Sequence, residues 1–216
     1  MMAPPAGAPD LNLPRGEATV LDNDEWTYAL FGLTVTSNVR LDTLPGGRHG
    51  QVGALRFVLR EAAHVRPSSD WQELYTLPYV EDESRPFLTV ARRDAQLLLR
   101  VHGSADFVVD TGGETITCTP LPTCPIGSVE QLLVDQIIAR VMQLHGRPCL
   151  HASAVALMDA AIAFIGPTGS GKSTMTAAFC HQGAMLICDD CLSLQVSAEE
   201  VLAFPGYPSV RLWPDS

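Results

Sequence analysis

Basic residues are scarce in this 216-residue chain: 14 Lys and Arg stand against 24 Asp and Glu, for a net charge of −10. That deficit argues against nucleic acid and anionic lipid as partners, since both are gripped by clustered cations set against phosphates. Also missing is any apolar run near the roughly 20 residues that span a bilayer, so no membrane association is expected. Residues 1–10 are rich in Pro and Ala and lack both the basic flank and the apolar stretch of a secretory signal. They read as the start of a disordered tail over residues 1–15. No internal repeat is found. Without an export signal, Cys118, Cys124, Cys149, Cys180, Cys188 and Cys191 are expected as reduced thiols rather than a disulfide framework, and the cytoplasm is the expected compartment. The remaining composition, 46% apolar and 18% charged, is that of a globular chain with one large domain or two small ones.

From residue 16 to 125 the pattern has the two-residue period of strands. Phe31, Leu33 and Val35 alternate with Gly32, Thr34 and Thr36, and Leu55, Phe57 and Leu59 do likewise. Residues 87–91, 97–101, 107–109 and 114–118 are further short strands, the last two joined by the turn Asp110-Thr111-Gly112-Gly113. Residues 45–50 and 65–70 read as loops. The expectation is an antiparallel β-rich module without a catalytic signature of its own.

Residues 126–216 differ. Ser128 followed by Gln131 has the spacing of a capping box, and Leu132, Leu133, Ile137, Val141 and Leu144 lie on one helical face ended by Gly146 and Pro148. Two apolar runs follow, residues 150–157 and 161–165, with only Met158-Asp159-Ala160 between them. So short a gap holds no crossover helix, so an antiparallel hairpin is expected. A helix over residues 172–181, stopped by Gly183, then leads to a strand at 184–188, expected parallel to the run at 161–165.

Between those last two elements lies Gly166-Pro167-Thr168-Gly169-Ser170-Gly171-Lys172-Ser173, a full G-x-x-x-x-G-K-[ST] phosphate-binding loop. Glycines let backbone amides curl around phosphate oxygens, and the helix that begins there adds its positive end. Lys172 can reach the β- and γ-phosphates and Ser173 can ligate Mg²⁺. A chance match in a chain this long has a probability of order one per cent, and the strand before and helix after also fit. With the next residue, Thr174, these eight form the candidate ATP-binding set.

Asp189 and Asp190 end the following strand, at the sheet edge where ligands of α/β proteins bind. One acid could hold magnesium while the other takes a proton from an attacking hydroxyl; alternatively, one is a metal ligand and the other merely solvated. His151 registers near Gly166 across the hairpin, where it either contacts a phosphate or acceptor or serves as a satisfied structural residue. Cys188-x-x-Cys191 and Cys180-His181 could bind zinc or form a redox pair, but small buried hydrophobes account for them better.

The run from Leu150-His151-Ala152-Ser153 through the loop to Leu186-Ile187-Cys188-Asp189-Asp190 resembles the C-terminal catalytic domain of HPr kinase/phosphorylase. That family places a hairpin before its phosphate loop, a His at the hairpin's start and an Asp pair after the next strand. The resemblance implies an α/β fold, a P-loop kinase core of the HPr kinase/phosphoenolpyruvate carboxykinase type, with the β-rich module in front. It implies ATP- and Mg²⁺-dependent transfer to a serine hydroxyl of a small carrier protein, and a homo-oligomer. His151 would be the active-site His, Lys172 and Ser173 the phosphate and metal contacts, Asp189 the general acid/base, and Asp190 its helper or a metal ligand. The N-terminal module, with Pro205-Gly206-Tyr207-Pro208 and Arg211-Leu212-Trp213-Pro214, is more like HPr-kinase-related proteins of peptide-modification clusters, lasso peptides included. That likeness implies a serine of a precursor peptide as the other candidate acceptor beside a carrier protein. The chain stops at Ser216, about twenty-five residues past the Asp pair, so the catalytic domain is expected to be incomplete. A metabolite kinase and a catalytically weak nucleotide sensor are the competing functions.

Overall fold

The computed structural model describes residues 19–20, 25–44, 46, 54–63, 70–79, 84, 86–207 and 209–210. The tail expected over residues 1–15, most of the two expected loops (all but Gly46 and Asp70) and residues 211–216 lie outside them. Among the described residues the chain is dominated by strands, arranged in one nine-stranded and two three-stranded sheets.

The large sheet is built from β1 (Thr19–Val20), β2 (Trp26–Leu30), β3 (Leu33–Ser37), β4 (Ala54–Leu59), β5 (Gln72–Pro78), β6 (Pro86–Arg93), β7 (Gln96–Val101), β8 (Ala105–Asp110) and β9 (Thr115–Pro120). Their order is β1-β2-β3-β4-β9-β8-β7-β6-β5. The sheet is mixed, not antiparallel as the alternation suggested: β4 pairs parallel with both β3 and β9. The reason is connection length. Residues 38–53 are enough for a crossover rather than a hairpin, and β5–β8 fold outward as a meander before β9 returns beside β4. Phe31 is not in the strand expected for it. It forms with Gly32 a two-residue turn between β2 and β3, both at positive φ (53° and 73°), the type I′ geometry that matches strand twist.

The buried face of this sheet carries Leu33, Val35, Leu55, Phe57, Phe107, Val109, Ile116 and Cys118. Against it packs one long helical segment: α1 (Ile126–Leu132), a π-helical stretch (Leu133–Ile138) and α2 (Ala139–Leu144). Its buried residues fall in two rows, Val129, Leu133, Ile137, Val141 and Glu130, Val134, Ile138, Met142. A strict four-residue spacing outruns the 3.6-residue α-turn by about 40° per step. The i→i+5 bonds of the π stretch absorb the extra residue and keep both rows on the sheet. Glu130 is buried because its carboxylate takes the Asp42 and Thr43 amides and the Thr43 hydroxyl. The helix starts two residues before the expected Ser128 cap. Extended Pro125 is the N-cap, and its carbonyl accepts from the Ser128 and Val129 amides, with no side-chain cap. The helix expected to open the second domain therefore supplies the core of the first.

Beyond it come β10 (Cys149–Leu150), β11 (Ala152–Leu157), β12 (Ala160–Ile165), α3 (Lys172–His181), β13 (Met185–Cys188), β14 (Leu192–Val196) and β15 (Val201–Phe204). They form two small sheets, β12-β11-β13 and β10-β14-β15. The hairpin of β11 and β12 forms as expected, in the register Ala152↔Ile165 to Leu157↔Ala160. The α/β P-loop kinase core does not. β13 runs in the same direction as β12 but pairs with β11, antiparallel, so β11 separates the two strands that α3 connects. Among the described residues α3 is the one helix in this half, and no parallel sheet with helices on both faces is built. The sequence pattern gave strand direction correctly; neighbour choice was decided by β11, whose Ala-rich face allows close packing by Leu192 and its partners.

The halves meet at the Phe31–Gly32 turn. The Phe31 amide donates to Pro205 O at 2.8 Å, Arg147 donates to Phe31 O at 3.0 Å, and Arg147 lies over the Phe204 ring. A Cβ on Gly32 would sit 2.4 Å from Phe204. Gly32→Ala is expected to lower unfolding free energy by about 2–4 kcal/mol, from a strained φ plus overpacking. Gly103→Ala, also at positive φ but with nothing within 4 Å of its Cβ, should lose only about 1 kcal/mol. Urea titrations of both variants check this, and equal losses would remove Phe204 from the explanation.

Candidate phosphate-binding site

The residues singled out in the sequence converge at one end of the β12-β11-β13 sheet. β12 ends at Ile165, the loop follows, and α3 begins at Lys172. Gly171 is the N-cap at φ 85°, a left-handed conformation that turns the chain into the helix without a Cβ clash. No side-chain cap bonds the first turn of α3, so its amides are left to an anion or to water. Phe164 packs on Phe179, ring centroids 5.4 Å apart, holding the helix over the hairpin. Thr168, Gly169 and Ser170 line the exposed crest of the loop and Thr174 is exposed on α3.

Lys172 is 8% exposed and folds back on the loop, donating to Gly166 O at 3.0 Å and Pro167 O at 3.1 Å. It is the sole lysine of the chain. An incoming phosphate competes for the same ammonium.

β13 brings the acids to this edge because it shares the direction of β12. Ser173 Oγ donates to Asp189 Oδ1 at 3.0 Å. The same oxygen receives the Ser153 hydroxyl from β11, a side chain with no exposure at all. Asp189, rather than the expected metal ligand Asp190, is therefore the acid beside the loop serine. Asp190 occupies the turn after β13 at φ 69°, and its carbonyl contacts His151 Nδ1 at 3.2 Å. His151 is exposed just before β11, beside Gly166 by the hairpin register. Ser153 was missed as a site residue. The available signal was a hydroxyl inside an otherwise apolar strand, which needs a partner when buried.

Two hard oxygen donors, Ser173 Oγ and Asp189 Oδ1, suit Mg²⁺, which ordinarily takes one or two protein oxygens and completes its octahedron with water and phosphate. Among the described residues no group of three or more His, Cys, Asp or Glu gathers as a metal site. Two hollows lie elsewhere. One, of about 210 Å³, is lined by Thr43, Glu130, Asp135 and Tyr207 at the π stretch; the other is lined by Leu157, Phe179 and Ala184 at the far end of α3. Neither includes a loop residue. No helix among the described residues is long and apolar enough to cross a membrane. No family model, curated protein or solved structure matches the chain.

Ser153→Ala is expected to lower unfolding free energy by roughly 1–3 kcal/mol, the range for a lost hydrogen bond to a charged group. Chemical denaturation reads the loss. An unchanged midpoint would mean that the hydroxyl does not support Asp189.

Proposed function

We propose that residues 166–173 bind the triphosphate of ATP together with Mg²⁺, and that the chain transfers the γ-phosphoryl group to a serine hydroxyl of a small protein or precursor peptide. The observation that carries this reading is the 3.0 Å contact between Ser173 and Asp189 beside a complete phosphate loop. An ordinary Gly-rich turn has no need of a lysine, a hydroxyl and a carboxylate at its helix start. The loop amides and the N-terminus of α3 orient the phosphate chain. Lys172 leaves the Gly166 and Pro167 carbonyls to bond the β- and γ-oxygens. Bound Mg²⁺ supplies neutralisation of the charge that develops on those oxygens. Ser173 and Asp189 hold the metal side of the site. Asp190, the next residue of the turn, takes the proton as the acceptor oxygen bonds to phosphorus and ADP departs, with His151 positioning that turn. This exchanges the two acids' roles relative to the family resemblance, because Asp189 is the one engaged with Ser173. The acceptor class rests on the resemblance of the segment 150–194.

An acyl-phosphate ATP probe should label Lys172, and excess Mg·ATP should protect it; the absence of protectable labelling would sink nucleotide binding. By calorimetry, Lys172→Ala should weaken Mg·ATP binding at least tenfold, about 1.4 kcal/mol. Asp189→Asn should abolish the Mg²⁺ dependence of ATP affinity. Asp190→Asn should keep binding and lower transfer by about 10²–10⁴, the usual worth of a general base. The opposite pattern would restore the roles first expected, and binding with no transfer to any hydroxyl would leave a nucleotide sensor.

A further inference from the structure

Away from the loop, the unassigned chemistry is concentrated in sulfur. All six cysteines are unpaired. Cys118 and Cys188 are fully buried thiols. Burial raises both, and Cys188, also beside Asp189, is pushed up to about 12. Cys124 and Cys180 are likewise raised by burial. Cys149 and Cys191 are different. β10 pairs with β14 in the register Cys149↔Ser193 and Leu150↔Leu192. Cys191, the residue before β14, thus falls on the same face as Cys149, two positions along. Both are half-buried and pack on the rim of the main core. The neighbouring Cys191 thiol, with Ser193 and the Arg147 guanidinium, lowers the Cys149 thiol from its ordinary value against the opposing effect of burial. A lowered thiol gives up its proton more readily to form thiolate, the form that reacts with oxidants.

We propose that Cys149 and Cys191 form a reversible disulfide when the chain meets a peroxide, tying the strand that leads into His151 to the turn that carries Asp189 and Asp190. The Cys149 sulfur attacks one peroxide oxygen; an S–O bond forms, the O–O bond breaks, and water leaves once the departing hydroxide is protonated. The Cys191 sulfur then attacks the resulting sulfenic acid at sulfur. The S–S bond forms, the S–O bond breaks, and the Cys191 proton leaves with the hydroxide as a second water. Two thiols lose two electrons in total and one peroxide gains them. A diagonal cross-strand pair has Cα atoms about 7–8 Å apart, whereas a disulfide wants about 5.5–6 Å. Closing the bond therefore draws the turn toward the strand. The turn is also joined to His151 through Asp190 O and to Ser173 through Asp189, so the acids move with it. The consequence for ATP rests on the function proposed above; the bond itself does not.

The full chain would be treated with stoichiometric hydrogen peroxide, its remaining thiols blocked, and its digest mapped by mass spectrometry. The expected result is a Cys149–Cys191 linkage that dithiothreitol reverses, survives in Cys180→Ser, and is lost in Cys149→Ser and in Cys191→Ser. Oxidation of Cys149 to sulfinic acid without a cross-link, or a linkage mapping to Cys188 or Cys180, would overturn the proposal. The oxidised wild-type chain should bind Mg·ATP at least tenfold more weakly than the same sample after reduction, and equal affinities would overturn the coupling to the site. If neither form binds ATP, the nucleotide reading fails, while the linkage map still decides the bond.

Discussion

One carboxylate oxygen of Asp189 accepts hydroxyl hydrogen bonds from Ser173 at the start of α3 and from Ser153 inside β11. Three elements are thereby joined at one carboxylate oxygen. Asp189 directly follows the strand β13, α3 crosses from β12 to β13, and β11 lies between those two strands. Fixing the acid therefore fixes where the helix begins relative to the sheet edge. The amides of the first turn, the lysine bent over the loop and the acid itself come to share one small volume. A hydrogen bond to an ionised group is about twice as strong as a neutral one, which is why two serines suffice to hold this corner.

The local chemistry was legible in the sequence and the arrangement of strands only partly so. The loop, the hairpin before it, α3 and the arrival of an Asp pair at the same edge follow from spacing alone, because each depends on neighbours within a few residues. The pairing of β13 with β11 instead of β12 does not. Both choices leave the strand pointing the same way, and the decision lies in what covers the Ala152–Ala154 face. The parallel seams of β4 were hidden for a similar reason: alternation at Leu55 and Phe57 reports which face is buried and is silent about the neighbouring strand.

The helix packed on the large sheet shows how a correct pattern can yield a shifted boundary. Leu133, Ile137 and Val141 were recognisable as a face, but their four-residue spacing is a π signal that an α-helical template absorbs without complaint. Ser128 has the chemistry of a cap, yet Pro125 reaches the first amides from three residues further back. Glu130, an acid in a core, was unreadable because its partners, the amides of Asp42 and Thr43, are 88 and 87 residues away.

The strap formed by Pro205 and Gly206 bears on how this chain can be divided. Pro205 O holds the Phe31 amide, and the Gly206 amide holds Ile187 O, two residues before Asp189. The β2–β3 hairpin of the large sheet and the strand that delivers the acid are thus bolted to the same two peptide units. A cut near residue 125 would strip the sheet of its helix and the strap of its anchor on Phe31. The phosphate corner is thus braced from outside its own small sheet, through two peptide units that also touch the large one.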